Sequence, residues 1–140
     1  MVEDTILIID DVEDDRFILK RLLKKSGVTR RIYEKENGKE AIEFFEAYRA
    51  NIEKHGDDYP PGLIFLDINM PLMNGFEFLE EFKKLRTVFD LDSIVVVLIS
   101  TTESDEDKTK IDSYDFVKGF VPKFPTKPAA FQDLMSDILA

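Results

Sequence analysis

The chain has 140 residues, with 19 Lys plus Arg against 29 Asp plus Glu, so its net charge is −10; it contains one His, no Cys and no Trp. Disulfides, thiolate metal sites and cysteine nucleophiles are therefore excluded, and His55 alone cannot build a multi-His metal centre. The acidic balance argues against a nucleic-acid groove, which needs clustered Lys and Arg, and the longest apolar run, residues 94–99, falls far short of the roughly 20 residues a membrane helix requires.

The size suits one domain, and 12 Phe with four Tyr supply ample core material. The opening Met1-Val2-Glu3-Asp4 is acidic and lacks the basic region of a secretory signal. The expectation is one acidic, soluble, cytoplasmic domain over residues 1–140, with no nucleic-acid or membrane partner.

In chain order, Ile6-Leu7-Ile8-Ile9 opens as an unbroken apolar run, which suits a strand covered on both faces. Leu19, Leu22 and Leu23 then share one helical face, in a segment that starts with Glu13, Asp14 and Asp15 and ends with Lys20, Arg21, Lys24 and Lys25. That order compensates the helix macrodipole. A weaker strand follows at residues 31–34. Ala41, Phe44, Phe45, Tyr48 and Ile52 fit one face of a second helix, and a polar loop runs over residues 55–61. Leu63-Ile64-Phe65-Leu66 reads as the third strand, Leu79, Phe82 and Leu85 as the third helix, and residues 94–99 as the fourth strand. Residues 105–114 form the poorest helical pattern. Residues 119–121 form a short fifth strand, and Phe131, Leu134, Met135 and Ile138 complete a last amphipathic helix.

Strict β-α alternation implies a doubly wound α/β fold with five parallel strands, five helices and a ligand crevice at the carboxyl ends of the strands. Asp10-Asp11 follows the first strand and Asp67 the third. Ser100-Thr101-Thr102 follows the fourth, and the fifth leads through Pro122 to Lys123. Three carboxylates, a hydroxyl and an ammonium thus converge on one crevice. Two like charges ~4 Å apart repel by on the order of 4 kcal/mol at an effective dielectric of 20. Such a cluster calls for a cation or for raised pKa values, and its hard oxygens suit Mg²⁺. With Mg²⁺ and Lys123 neutralising a phosphoryl group, Asp67 can serve as nucleophile and Ser100 as a donor to a phosphoryl oxygen.

Those residues, with Leu66-Asp67-Ile68-Asn69-Met70-Pro71-Leu72-Met73-Asn74-Gly75 between them, resemble a two-component response-regulator receiver domain over essentially the whole chain. The resemblance implies a flavodoxin-like sheet in the order 2-1-3-4-5. It implies Asp67 as phosphoacceptor, and Mg²⁺ held by Asp10, Asp11, Asp67 and the backbone carbonyl of Asn69. Ser100 would take the Ser/Thr switch position, Phe120 the aromatic switch position and Lys123 the family's lysine, with Asn69 and Thr102 flanking the path of the hydrolytic water. The implied partners are a histidine kinase or histidine phosphotransfer protein and a downstream protein target. With no output domain in the chain, the signal is expected to leave by protein–protein contact, from a monomer or weak dimer. The domain would be a signalling phosphoacceptor that catalyses its own phosphotransfer and dephosphorylation, not a conventional enzyme.

Three positions depart from the family pattern. Phe124 stands between Lys123 and Pro125, leaving the isomer of the Lys123–Phe124 bond open; Thr101 replaces a small residue, which can narrow access to Asp67; and Tyr114-Asp115-Phe116 replaces the usual Ala-Gly pattern. Each candidate also has a plainer reading. Asp10, Asp11 and Asp67 can cap helices or turns, Ser100 can cap a turn, Lys123 can be solvated, and Phe120 can be ordinary core. Three other functions compete. A haloacid-dehalogenase-type phosphatase would need its Asp-x-Asp motif after the first strand and a cap insertion. A flavin carrier would need a phosphate loop where Asp10-Asp11 would repel phosphate. An unphosphorylated pseudo-receiver would need Lys123 disabled.

Overall fold

The apolar runs become strands because helices cover both of their faces. A computed structural model describes residues 5–25, 31–100, 105–123 and 127–139. Strands β1 (Thr5–Ile9), β2 (Arg31–Lys35), β3 (Leu63–Asp67), β4 (Val95–Ser100) and β5 (Val117–Pro122) form one parallel sheet in the order β2-β1-β3-β4-β5. The helices are α1 (Glu13–Lys25), α2 (Gly38–Glu46), α3 (Tyr48–His55), α4 (Gly75–Phe89), α5 (Asp105–Ile111) and α6 (Pro128–Leu139). This is the expected doubly wound, flavodoxin-like arrangement.

Side chains alternate across each strand. Leu7, Ile9, Ile64, Leu66, Val96 and Leu98 face one core with Phe45, Phe78 and Phe82. Ile6, Ile8, Leu63, Phe65, Val97 and Ile99 face the other, with Leu19, Leu23 of α1 and Phe131, Met135 of α6. A strand flanked in this way needs apolar residues at every position, so the runs are unbroken. Phenylalanine stacking adds to the first core: Phe45 and Phe78 lie with ring centroids 5.0 and 5.4 Å from that of Phe82.

Among the described residues six α-helices stand where five helices were expected, because the second divides at Ala47. Its ψ of 38° ends the ladder of α2, and Ala47 serves both as C-cap of α2 and N-cap of α3. The Phe44 carbonyl instead accepts from Asn51 Nδ2 at 2.6 Å and from the Tyr59 hydroxyl at 3.1 Å. The break turns α3 away from the common face, so Ile52 is exposed rather than core, while Tyr48 stacks on Phe89 at 5.2 Å.

At the other end of the sheet, the start of α4 is fixed by a capping box. Asn74 Oδ1 accepts from Glu77 N at 2.9 Å, and Glu77 Oε1 accepts from Asn74 N at 3.0 Å. Gly75 N donates to the Ile68 carbonyl at 2.8 Å, pulling the helix start against the end of β3. A Cβ on Gly75 would lie 2.8 Å from both the Asp67 carbonyl oxygen and the Ile68 Cα. Alanine ordinarily favours a helix over glycine by about 1 kcal/mol. Here the clash with backbone outweighs that gain, and Gly75→Ala is expected to destabilise the fold by about 1–3 kcal/mol in urea unfolding. A stabilised variant would refute the close-approach argument.

Candidate functional site

The loops at the carboxyl end of the sheet carry the predicted residues, and the register places them together. Asp67 is the last residue of β3, opposite Ile99 of β4; Ser100 ends β4 opposite Pro122 of β5, one residue before Lys123. Asp10 and Asp11 follow β1 directly. Asp67 and Ser100 thus close their strands rather than follow them, and the edge carries both of them with Asp10 and Lys123.

Asp10 is fully buried. Its Oδ1 accepts from Val12 N at 3.0 Å, the turn that leads the chain into α1. Its backbone N–H donates to the Lys35 carbonyl at 3.1 Å, and its carbonyl accepts from Arg16 Nη1 at 2.7 Å. Arg16 is itself buried, and its Nε pairs with Glu34 Oε1 at 3.1 Å, while Lys20 reaches Glu34 Oε2 at 2.9 Å. Burial pushes the Glu34 carboxyl up, but the bonds from Lys20 and Arg16 outweigh it and hold the carboxyl below its usual range. This chain of contacts ties the turn after β1 to β2.

Lys123 reaches into the acidic group. Its Nζ lies 2.9 Å from Asp10 Oδ2, 2.9 Å from Asp15 Oδ2 and 3.3 Å from Asp67 Oδ2. Asp10 Oδ2 makes this ion pair but is buried without a hydrogen bond. Asp67 Oδ1 accepts from Asn69 N at 3.3 Å. The Lys123 backbone N–H donates to the Ser100 carbonyl at 2.9 Å, which anchors the lysine to the end of β4.

The electrostatics follow from one ammonium serving several acids. Burial, reinforced by the neighbouring Asp10 charge, pushes the Asp67 carboxyl up to about 6 against the pull of Lys123. Burial likewise raises Asp10, opposed by the Val12 N–H and Lys123. Burial alone would lower Lys123, but the neighbouring carboxylates of Asp15, Asp10 and Asp67 hold it above the ordinary lysine value, so it stays charged. Carboxylate oxygens of Asp10, Asp11 and Asp67 all lie within 4.8 Å of one another, Asp11 exposed and the other two buried. A buried acidic group with an oxygen free of hydrogen bonds and an exposed ligand at its mouth fits a hard divalent cation that keeps part of its water.

The structure thus brings together Asp10, Asp11, Asp67 and Lys123, with Ser100 buried on the same sheet edge and Asn69 in the next turn. Phe120 lies apart on β5, half-buried against the first core opposite Leu98. Thr101, Thr102 and Phe124 lie outside the described residues. Two participants were not foreseen. Asp15 reads in the sequence only as a helix-dipole acid, and Arg16 carries no motif; the available signal was an arginine set among acids on the apolar side of α1.

Comparison with known proteins gives the family and the fold. The sequence model of the family described as "Response regulator receiver domain" matches residues 6–138. The chain is 32% identical over 123 residues to "Sensor histidine kinase CheAY" of Helicobacter pylori, covering 88% of this chain and 13% of that kinase. It is 28% identical over 134 residues to "Chemotaxis protein CheY" of Halobacterium salinarum, covering 96% of this chain and 95% of that protein. In fold it is similar to the receiver domain of the histidine kinase CKI1 from Arabidopsis thaliana, solved in complex with Mg²⁺, with a TM-score of 0.78, 22% identity, and coverage of 96% and 91% of the two chains. Among the described residues, no helix is long and apolar enough to cross a membrane.

The position of Asp67 sets a pH dependence. Its carboxyl rises from 3.8 to about 6 on folding, so the stability linked to its proton is complete below about pH 4 and lost as pH rises through about 6. Asp67→Asn, neutral throughout, is expected to unfold at higher urea than the parent at pH 7 without divalent cations, by on the order of 2 kcal/mol. The gap should close toward pH 4. A gap independent of pH would refute the assignment of that pKa.

Proposed function

We infer function from family: this chain belongs to the response-regulator receiver domains, the phosphoacceptor signalling modules of two-component systems. We propose that Asp67 accepts the phosphoryl group, from a histidine kinase or histidine phosphotransfer protein. The observation that carries this reading is the convergence of Asp67, Asp10, Asp11 and Lys123 on one edge, with Lys123 Nζ 3.3 Å from Asp67 Oδ2.

Asp10, Asp11 and Asp67, with the Asn69 backbone carbonyl, would hold Mg²⁺. The ion supplies charge neutralisation to a transferring phosphoryl group. The chain's own residues do the rest. An Asp67 carboxylate oxygen attacks phosphorus, the bond to the donor breaks, and the donor leaves with its electron pair, so Asp67 must be ionised to react. Pairing with Lys123 favours that ionised form against the burial that opposes it. After transfer, Lys123 and the Ser100 hydroxyl would pair with phosphoryl oxygens. The lysine–aspartate contact in the resting state supports this over a pseudo-receiver in which Lys123 is disabled.

Output follows as a population shift. A dianionic phosphoryl group on Asp67 draws Ser100 and Lys123 toward it, favouring one arrangement of the ends of β4 and β5. Phe120, on β5 and packed against the first core, is the residue through which that shift would reach a protein surface. The proposed output is protein–protein contact in the cytoplasm, by a monomer or weak dimer. By family resemblance, Asn69 and Thr102 would influence the lifetime of the phosphoryl group, and Thr101 the access to Asp67.

Incubation with Mg²⁺ and acetyl phosphate should add one phosphoryl group per chain by intact mass, and Asp67→Ala should abolish it. Equal labelling of that variant would overturn the assignment. Lys123→Ala should keep Mg²⁺ binding yet lose the change in backbone amide NMR shifts along β4 and β5 on phosphorylation. An undiminished shift pattern in that variant would remove Lys123 from the output path.

A further inference from the structure

The acid that the proposed mechanism leaves unused is Asp15. Its Oδ2 lies 2.9 Å from Lys123 Nζ, as close as Asp10 and closer than Asp67. The side chains of Asp15 and Lys123 are 19% and 8% exposed, so the pair is largely screened from water. Both line one small cleft with Ile18 of α1, Pro122 of β5 and Phe131 of α6, an apolar surround that strengthens the attraction. An ammonium has three N–H donors, and three carboxylates surround this one. Two of the three, Asp10 and Asp67, belong to the group able to hold a cation, and Asp15 does not.

We propose that Asp15 is a positioning residue that holds Lys123 in reserve, competing with the phosphoryl site for its ammonium. The proposal rests on the phosphoacceptor reading above. In the resting state the Asp15 carboxylate draws Lys123 toward α1, easing its grip on Asp10 and Asp67 and leaving their oxygens to a divalent cation. Once Asp67 carries a phosphoryl group, Lys123 must loosen its ion pair with Asp15 to engage it. Asp15 therefore raises the free energy of the engaged state, setting a threshold on the response. A macrodipole role alone predicts none of this, because it acts on α1 and not through Lys123.

A double-mutant cycle tests it with four proteins: the parent, Asp15→Asn, Lys123→Met and the double variant. The first probe is beryllofluoride, a phosphoryl mimic, titrated calorimetrically at saturating Mg²⁺. Asp15→Asn should tighten its binding about fivefold in the presence of Lys123 and leave it unchanged in the Lys123→Met background, with Asp15→Glu close to the parent. The second probe is Mg²⁺ alone, whose affinity Asp15→Asn should weaken severalfold only when Lys123 is present, since the freed ammonium then competes for Asp10 and Asp67. Equal effects in both lysine backgrounds, or none in either, would overturn the proposal by reducing Asp15 to a general surface charge. If no protein in the set takes beryllofluoride, the phosphoacceptor reading fails. The Mg²⁺ cycle still decides the competition for Lys123 by the same comparison.

Discussion

Three carboxylates, from Asp10, Asp15 and Asp67, surround the single ammonium of Lys123, with Asp11 close to Asp10 and Asp67, and this imbalance governs the site. Each uncompensated pair at close range costs several kcal/mol, and burial of Asp10 and Asp67 adds to the cost. An excess of negative charge that cannot relax into water is also what a divalent cation would relieve, and on the proposed function that cation would in turn admit a phosphoryl group. The site's instability and its chemistry therefore have one origin.

The rest of the fold supplies the rigidity that such a site demands. Two apolar cores clamp the sheet from both faces, which holds the acid-bearing ends of β1 and β3 beside one another. The loops are then pinned individually. Arg16 ties the Asp10 carbonyl to Glu34 on β2, the capping box of Asn74 and Glu77 fixes the entry to α4, and Gly75 lets that helix sit against the backbone of Asp67. None of these residues need touch a phosphoryl group. Their effect is to keep the acids together against their own repulsion.

How much of this was legible in the chain depended on the range of the signal. Unbroken runs such as Ile6-Leu7-Ile8-Ile9 identify buried strands because a two-sided environment leaves no polar position. The segment from Leu66 to Gly75 is equally plain, since its Pro, Asn and Gly each answer to local backbone geometry. The division of α2 from α3 was not legible. Nothing at Ala47 disfavours a helix, and the break is held by the Asn51 amide and the Tyr59 hydroxyl bonding the Phe44 carbonyl, the second from 15 residues away in sequence. Asp15 was misread for the same reason: as an acid in a first turn it already has a local explanation, and its partner Lys123 belongs to another strand's loop.

The sequence by itself determined the alternation of strands and helices, the parallel doubly wound class and the acids and lysine that meet at the strand ends. These follow from periodicity and short-range chemistry, which need no knowledge of what lies across the sheet. Only the tertiary structure decided how the charges are shared. Whether Lys123 pairs with two carboxylates or three, and whether Arg16 braces a loop or reaches solvent, depends on distances between segments far apart in the chain. Electrostatic energy varies steeply with those distances and with burial, and neither is written in the order of the residues.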